Sequence, residues 1–394
     1  MKFNKTRSSL IIILFFLLAL VACEKEREKP FPDPVHFFES ELIASFKLDD
    51  ILNLLNDFGE LPREISLFIR HDVLVYRIIY ETIDLDNNPV LASGALVLPD
   101  IRDPMPLISF QHGTITEEED APSWFSSDLY FTAVLNASAG YIMALPDYLG
   151  YGKSRHLDHP YEHGRSLATA SRDMLRAVRE FDNLNSGFSA NDKLFLTGYS
   201  QGGYATMALL KLLEEEYRNE FRVTAATAGA GAYNKSEFAR YLLEADQEIV
   251  HLNTFLWALD TYNKVYRIER PYNHYFNEPF ATIISEDGVF ENPELNPQVL
   301  FTAGFREGII SGSDTEFITA LADNDNYDWK PSTPLQLYHG TDDEFVYYFN
   351  SASAYQAMNE RGAESVELIT IEGGNHATSV TDYFLETFLF FSQF

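Results

Sequence analysis

The chain has 394 residues, enough for a large α/β core or a core with an insertion, and its 46% apolar and 22% charged content is ordinary for a globular protein. A formal net charge of −30 repels phosphates, which excludes nucleic acid or an anionic membrane surface as the main ligand. The single cysteine, Cys23, excludes an internal disulfide.

Lys2, Lys5 and Arg7 precede an apolar run, Leu10 to Val21, that is short for a transmembrane helix. Leu20-Val21-Ala22-Cys23 then resembles the lipobox of bacterial lipoproteins, in which signal removal leaves the cysteine carrying lipid. The expectation is a signal peptide at 1–22 and an extracytoplasmic protein held by lipid on Cys23, at the outer membrane or cell surface; a conventional signal peptide or an N-terminal anchor is the alternative. Charged residues from Glu24 to Lys29, followed by Pro30, Pro32 and Pro34, read as a solvated tether over 23–35. His36 to Phe58 shows helical spacing, with Phe38, Leu42 and Phe46 and later Ile51, Leu52 and Leu55. Val73–Tyr80 and Val90–Leu98, separated by the turn-rich Asp84 to Pro89, predict an antiparallel hairpin at a sheet edge.

From Leu107 onward short apolar runs alternate with helical patterns, the signature of a parallel sheet. Strands are expected at Leu107–Phe110, Tyr141–Leu145, Leu194–Leu196, Val223–Ala228, Leu335–Tyr338 and Val366–Ile371, with a helix near Ser166–Phe181 and another closing the chain from Ser379. Residues 231–332 break this rhythm: they carry helical patches rich in Tyr, Phe and Leu and no convincing core strand. An α/β core of 36–230 and 333–394 with a helical cap inserted at 231–332 follows, the cap lying over the carboxyl ends of the strands. A separate domain unrelated to any site is the alternative.

The chemistry centres on Lys193 to Gly203, K-L-F-L-T-G-Y-S-Q-G-G, where a short apolar strand runs into G-x-S-x-G and a helical pattern opens at once. A serine on such a turn has its hydroxyl exposed above the sheet, at the positive end of the following helix. Ser200 is therefore the candidate nucleophile. It needs a base, and the base needs an orienting carboxylate. Asp343 follows one late strand, in His339 to Val346, and His376 follows the last, in the Gly-rich Glu372 to His376. The order Ser200, Asp343, His376 is that of α/β-hydrolases.

On these residues the chain from about Val73 resembles an α/β-hydrolase, and more narrowly bacterial lipases and esterases related to the secretory lipases. The specific parts are Gln111-His112-Gly113-Thr114, Pro146 to Gly152, His159-Pro160-Tyr161, Gly198 to Gly203 and the late Asp and His segments. The family's G-x-x-D-x-x-V acid motif maps onto Gly340, Asp343 and Val346, favouring Asp343 over its neighbour Asp342. The resemblance implies a mostly parallel sheet with an antiparallel N-terminal hairpin, and an oxyanion hole made by the backbone N–H groups of Thr114 and Gln201. Only one glycine follows His112, so the triple-glycine form of that loop is absent.

The expected activity is cleavage of small-molecule carboxylic esters through an acyl-enzyme, with no cofactor and no metal. His156, His159 and His163 lack a completing ligand pattern, and the Asp323 to Asp328 run lacks the glycine and glutamate of a calcium loop. His112 reads as a structural residue of the oxyanion loop, and Asp147 as a hydrogen-bond partner of the loop around Gly150. Phe255, Trp257, Tyr262, Tyr266, Tyr272 and Tyr275 either line an acyl pocket or fill the cap's core. Two rival readings stand beside the esterase. One is a peptidase of the same fold, with Asp246, Glu248 or Asp260 anchoring a free amino terminus; the other is an inactive surface protein that binds glycan or lipid. Oligomeric state is not legible in the sequence.

Overall fold

A computed structural model of the chain describes residues 35–58, 63–127, 130–185 and 187–394. Cys23, the expected signal peptide and nearly all of the expected tether lie outside the described residues.

Those residues build a nine-stranded sheet in the order β1-β2-β3-β5-β4-β6-β7-β8-β9. The strands are β1 (Phe37–Phe46), β2 (Val73–Ile83), β3 (Pro89–Pro99), β4 (Pro104–Gln111), β5 (Ile142–Pro146), β6 (Ser189–Tyr199), β7 (Val223–Gly229), β8 (Leu335–Gly340) and β9 (Val366–Ile371). β1, β2 and β3 pair antiparallel, β3 joins β5 antiparallel, and every pair from β5 through β9 is parallel. This is the α/β-hydrolase architecture.

Residues 36–58 depart from the helical expectation. Phe37–Phe46 is a strand, and only Leu48–Phe58 (α1) is a helix. A free edge of β2 supplies backbone partners from Phe37↔Tyr80 to Phe46↔Val73, and a ladder of that length overrides local propensity. The strand is pinned at its start, where the Glu180 carboxylate accepts the N–H groups of Val35, His36 and Phe37 at 3.0, 2.8 and 2.6 Å. The chain turns into α1 where the Asp72 carboxylate accepts the Leu48 N–H at 2.8 Å. Because β1 covers β2, the β2–β3 hairpin lies one strand in from the edge instead of forming it.

Side-chain parity explains the layers. Along β6, Leu194 and Leu196 face one side while Phe195 faces the other, and along β5 Ile142 and Ala144 oppose Met143 and Leu145. The first face packs on Gly164–Leu184 (α3), Gln201–Glu216 (α4) and Phe349–Glu360 (α12); the second packs on α1, Phe131–Ser138 (α2) and the end of Ser379–Phe391 (α13).

Between β7 and β8 the chain adds no strand to the sheet and is mainly helical: α5 (Lys235–Glu244), α6 (Leu252–Val265), α7 (Tyr272–Tyr275), α8 (Phe280–Asp287), α9 (Pro297–Leu300), α10 (Ala303–Ser311) and α11 (Thr315–Asp323), with one isolated antiparallel bridge between Phe276 and Phe301. Side chains cap several of them: Asn234 accepts from the Glu237 N–H, Thr302 from Phe305 and Asp314 from Phe317. The helices share an apolar cluster of their own around Leu252, Leu256, Phe276, Leu300 and Phe317. The segment is tied back to the sheet layers by buried polar contacts. Asn324 accepts the Gly164 N–H at 2.9 Å, and the Glu214 carboxylate accepts the N–H groups of Ser332 and Thr333, each at 2.8 Å.

The Asp323 to Asp328 run is occupied by protein partners. Asp325 accepts from Ser236, Asp323 from the Tyr266 hydroxyl, and Asp328 pairs with Arg361. Among the described residues no group of three His, Cys, Asp or Glu side chains could hold a metal ion, and no helix is long and apolar enough to cross a membrane.

Candidate active site

The sheet itself selects where a ligand would sit. The chain runs outward from β4 to β5 and then returns past β4 to β6, so strand order reverses between β4 and β6. In open α/β sheets the crevice at the carboxyl ends of such a pair is where ligands bind. β4 ends at Gln111, leading into His112-Gly113-Thr114, and β6 ends at Tyr199, leading into Ser200.

Ser200 sits at φ 61, ψ −125 on the turn between β6 and α4. A non-glycine residue there is strained by about 1–3 kcal/mol and persists only when its surroundings hold it. They do: the Ser200 N–H donates to Gly229 O at 2.8 Å, and the backbone passes too close to its neighbours for side chains on either flank. A Cβ on Gly198 would lie 2.6 Å from Gln111 O, and one on Gly202 would overlap that same oxygen and approach His112 O to 2.8 Å. The motif glycines thus press the serine turn directly against the loop after β4. Gly113 completes the contact, since a Cβ there would be 3.9 Å from Ser200 Cβ.

His376 comes from the loop after β9. Its Nδ1 lies 2.7 Å from Asp343 Oδ2 and its Nε2 lies 2.9 Å from Ser200 Oγ. A carboxylate only accepts, so Nδ1 carries the proton and Nε2 is left to accept the serine hydroxyl. Tyr199 holds the loop by donating to His376 O at 2.8 Å, and Phe345 packs edge-on against the imidazole with ring centroids 4.9 Å apart.

Asp343 is buried after β8, and its other oxygen accepts the N–H groups of Phe345 and Val346 at 2.9 and 2.8 Å. Burial alone would raise its pKa. Hydrogen bonding and charge from His339 and His376 outweigh that and hold the carboxyl at about 2, so it stays ionised. Asp342 is exposed and accepts from Thr341 instead of approaching His376.

Thr114 and Gln201 flank the serine from the two loops. Gln201 opens α4, so its N–H is among the helix's first four and has no intrahelical acceptor. Both side chains are held by one segment, His159 to Glu162. Tyr161 OH lies 2.9 Å from Thr114 Oγ1, and His159 Nε2 lies 2.8 Å from Gln201 Nε2. His159 Nδ1 meets the Leu149 carbonyl at 2.7 Å, which makes it the donor and leaves Nε2 to accept the amide. Burial pushes the His159 pKa to about 3 and that of His112 to about 4, so both rings are neutral. His112 contacts the carbonyls of Gly113 and Asp147 at 2.7 and 3.2 Å, within the loop.

Asp147 does not bond the loop around Gly150. Its carboxyl accepts the Ser93 hydroxyl at 2.5 Å and the Ser123 N–H at 2.8 Å, and burial pushes its pKa to about 6. Gly152 brings the backbone so near Asp147 that a Cβ there would overlap the carboxylate. The loop reaches Asp147 only indirectly, through the Lys153 N–H on Ser93 Oγ at 2.7 Å.

Ser200 and Gln201 open into a cavity that encloses about 870 Å³ of space free of atoms, part of it continuous with solvent. Its walls come mainly from the helical segment, including Phe238, Leu242, Leu252, Phe255, Leu256 and Phe305. The expected aromatics divide. Phe255 and Tyr262 line this cavity, while Tyr275 is buried in the segment's own core. Tyr266 and Tyr272 bond Asp323 and Asp260. Trp257 stacks flat on Tyr161, with centroids 4.3 Å apart and planes 3° from parallel. Asp260 is held by Lys264 at 2.8 Å and does not reach the cavity wall.

The family model for secretory lipases matches residues 126–383, most of the chain. The chain belongs to the secretory lipase family. It is a carboxylic ester hydrolase, and its secretory family points to work outside the cytoplasm. Lipase 2 of Candida albicans is 24% identical over 374 residues, spanning 89% of this chain and 76% of that protein. Among solved structures, a protein from Legionella pneumophila superposes with a TM-score of 0.81 at 26% identity, covering 91% of this chain and 98% of that one. The rice cell wall degrading esterase LipA from Xanthomonas oryzae gives 0.76 at 25% identity, covering 90% and 96%.

Sequence reading passed over His159 and Tyr161 as residues that hold the loops beside Ser200. It passed over His339, 3.4 Å from Asp343, as well. The His159-Pro160-Tyr161 string was visible, but nothing local shows that it reaches Thr114 and Gln201.

Proposed function

We propose that this family member cleaves carboxylic esters by a Ser-His-Asp mechanism. The observation that carries the reading is the unbroken chain from Ser200 through His376 to Asp343 at 2.9 and 2.7 Å, at the mouth of an apolar cavity. Ser200 Oγ attacks the ester carbonyl while His376 Nε2 takes its proton, and Asp343, ionised throughout, holds the imidazole and stabilises the imidazolium. The negative oxygen that forms is met by the N–H groups of Thr114 and Gln201, each worth about 3 kcal/mol in such a hole. His376 then protonates the departing alcohol. Water, deprotonated by the same imidazole, cleaves the acyl-enzyme.

In this reading residues 231–332 act as a cap whose apolar wall takes the acyl chain and excludes water. The substrates are soluble esters of short to medium acyl chains, and lipid on Cys23 holds the enzyme at a membrane. The peptidase reading is weaker, because Asp260 is already paired with Lys264 and Tyr272. Rates on matched ester and amide substrates test the proposal. Ester turnover should exceed amide turnover by orders of magnitude, and amidase activity in excess would replace it with the peptidase. Mass spectrometry of Cys23 tests the anchor: an unmodified cysteine in the mature protein contradicts it.

A further inference from the structure

Two charges stand in the otherwise apolar wall of the cavity. Glu162, from the segment that holds Thr114 and Gln201, and Lys235, the first residue of α5, both line the cavity with Ser200. Each is only 6% exposed, and Lys235 Nζ donates to Glu162 Oε2. The ammonium also lies 3.6 Å from the centre of the Tyr204 ring. Glu162 Oε1 has no hydrogen-bond partner among the described residues.

Stability does not explain this arrangement well. Burying two charges costs several kcal/mol each, and apolar residues of similar volume in their place are often neutral or stabilising. The backbone adds a further cost: Glu162 has φ 56, a left-handed conformation that a non-glycine residue adopts only under constraint. Strain and desolvated charge coincide at one point of the wall facing the nucleophile's cavity.

We infer that Glu162 and Lys235 form a polar subsite for a hydroxyl group carried on the acyl chain, so that the preferred substrates are hydroxyacyl esters. This rests on the ester-hydrolase reading and deepens it. A hydroxyl both donates and accepts, so it can donate to the free Glu162 oxygen and accept from the Lys235 ammonium. The pair has no net charge, and each member repels one kind of ion: Glu162 a carboxylate, Lys235 an amine. A neutral hydroxyl satisfies both without a further charge in the cavity. Hydrogen bonds to charged groups are worth about 1.5–3 kcal/mol, so the preference for a hydroxylated chain over a plain one should be roughly tenfold to a hundredfold.

The test is a set of p-nitrophenyl esters of one acyl length, with the hydroxyl moved carbon by carbon along the chain, beside the unsubstituted ester. With the wild-type enzyme, kcat/KM should peak sharply at one hydroxyl position. A profile that is flat, or that falls below the plain ester at every position, overturns the subsite while leaving the esterase reading intact. Failure to hydrolyse any of these esters would instead count against that reading. The double variant Glu162→Gln/Lys235→Met, which removes both charges together, should bring the ratio of hydroxylated to plain ester close to one. A variant that melts lower yet keeps the wild-type ratio would show a purely structural latch between α5 and the core. The positional profile of the wild-type enzyme decides the matter even if that variant does not fold.

Discussion

The two walls of the cavity are built on different principles. On the sheet side, Ser200, His376 and Asp343 stand on three separate loops at strand ends, and every position is over-determined. Gly198 and Gly202 lie against the Gln111 carbonyl, Tyr199 holds the His376 loop, and Asp343 accepts two backbone N–H groups besides the imidazole. On the helical side the wall is a surface of Phe and Leu side chains carried on several helices, and polar groups are few. The first wall tolerates almost no change in geometry. The second can exchange one apolar side chain for another at modest cost, because a methylene more or less in such a pocket is worth only about 1–3 kcal/mol. In the proposed mechanism, chemistry belongs to the sheet side and choice of substrate to the helical side.

That division is broken most directly by Ser200→Ala or His376→Ala. Each should lower kcat by about a millionfold with the melting temperature unchanged, because nucleophile and base act as a unit. Asp343→Asn should cost about ten-thousandfold, since the imidazole would be held in the wrong tautomer. Asp342→Asn, on an exposed side chain, should change kcat little. If the two aspartate results were reversed, the carboxylate role would move one residue earlier.

Acid should weaken the sheet side through the same carboxylate. Asp343 is held at about 2 in the folded protein, below the usual value near 3.9 for an unfolded chain. A lowered acid pKa adds stability that is complete above about pH 4 and lost as pH falls toward 2, about 2 kcal/mol in all. Urea unfolding from pH 5 down to pH 2 should show this loss in the wild type and not in Asp343→Asn. Equal acid sensitivity in both would assign the loss to other carboxyls.

The smallest effects should fall on the helical wall and should alter preference more than rate. Phe255→Ala enlarges the cavity and should move the optimum of p-nitrophenyl ester hydrolysis to longer acyl chains, by roughly tenfold in relative kcat/KM. Trp257→Ala should act differently, because Trp257 does not line the cavity itself but stacks behind Tyr161, which does. It should lower rates at all chain lengths alike by loosening Tyr161 on Thr114. A shifted chain-length optimum in Trp257→Ala, without a general loss, would show that the two walls are not divided in this way.

What the sequence revealed follows the same line. Buried parallel strands are short apolar runs, and the loops of the proposed triad follow their carboxyl ends, so the placement of Leu194–Ser200, the Asp343 loop and the His376 loop was legible without coordinates. Phe37–Phe46 was not, because its apolar spacing suits a helix and only the open edge of β2 draws it into the sheet. The Glu162–Lys235 pair joins residues 73 apart, and the Tyr161–Thr114 bond residues 47 apart, distances over which no local pattern reports. Among the aromatics of residues 231–332, periodicity could not separate Phe255, which lines the cavity, from Tyr275, which fills the segment's core.

The central claim is that Ser200 is the nucleophile, and covalent capture tests it most directly. A fluorophosphonate probe should label the wild-type enzyme once, with the adduct mapped by mass spectrometry to Ser200 within the tryptic peptide Leu194–Lys211, and should leave Ser200→Ala unlabelled. An adduct on another residue, or full esterase activity surviving in an unlabelled enzyme, would contradict the account.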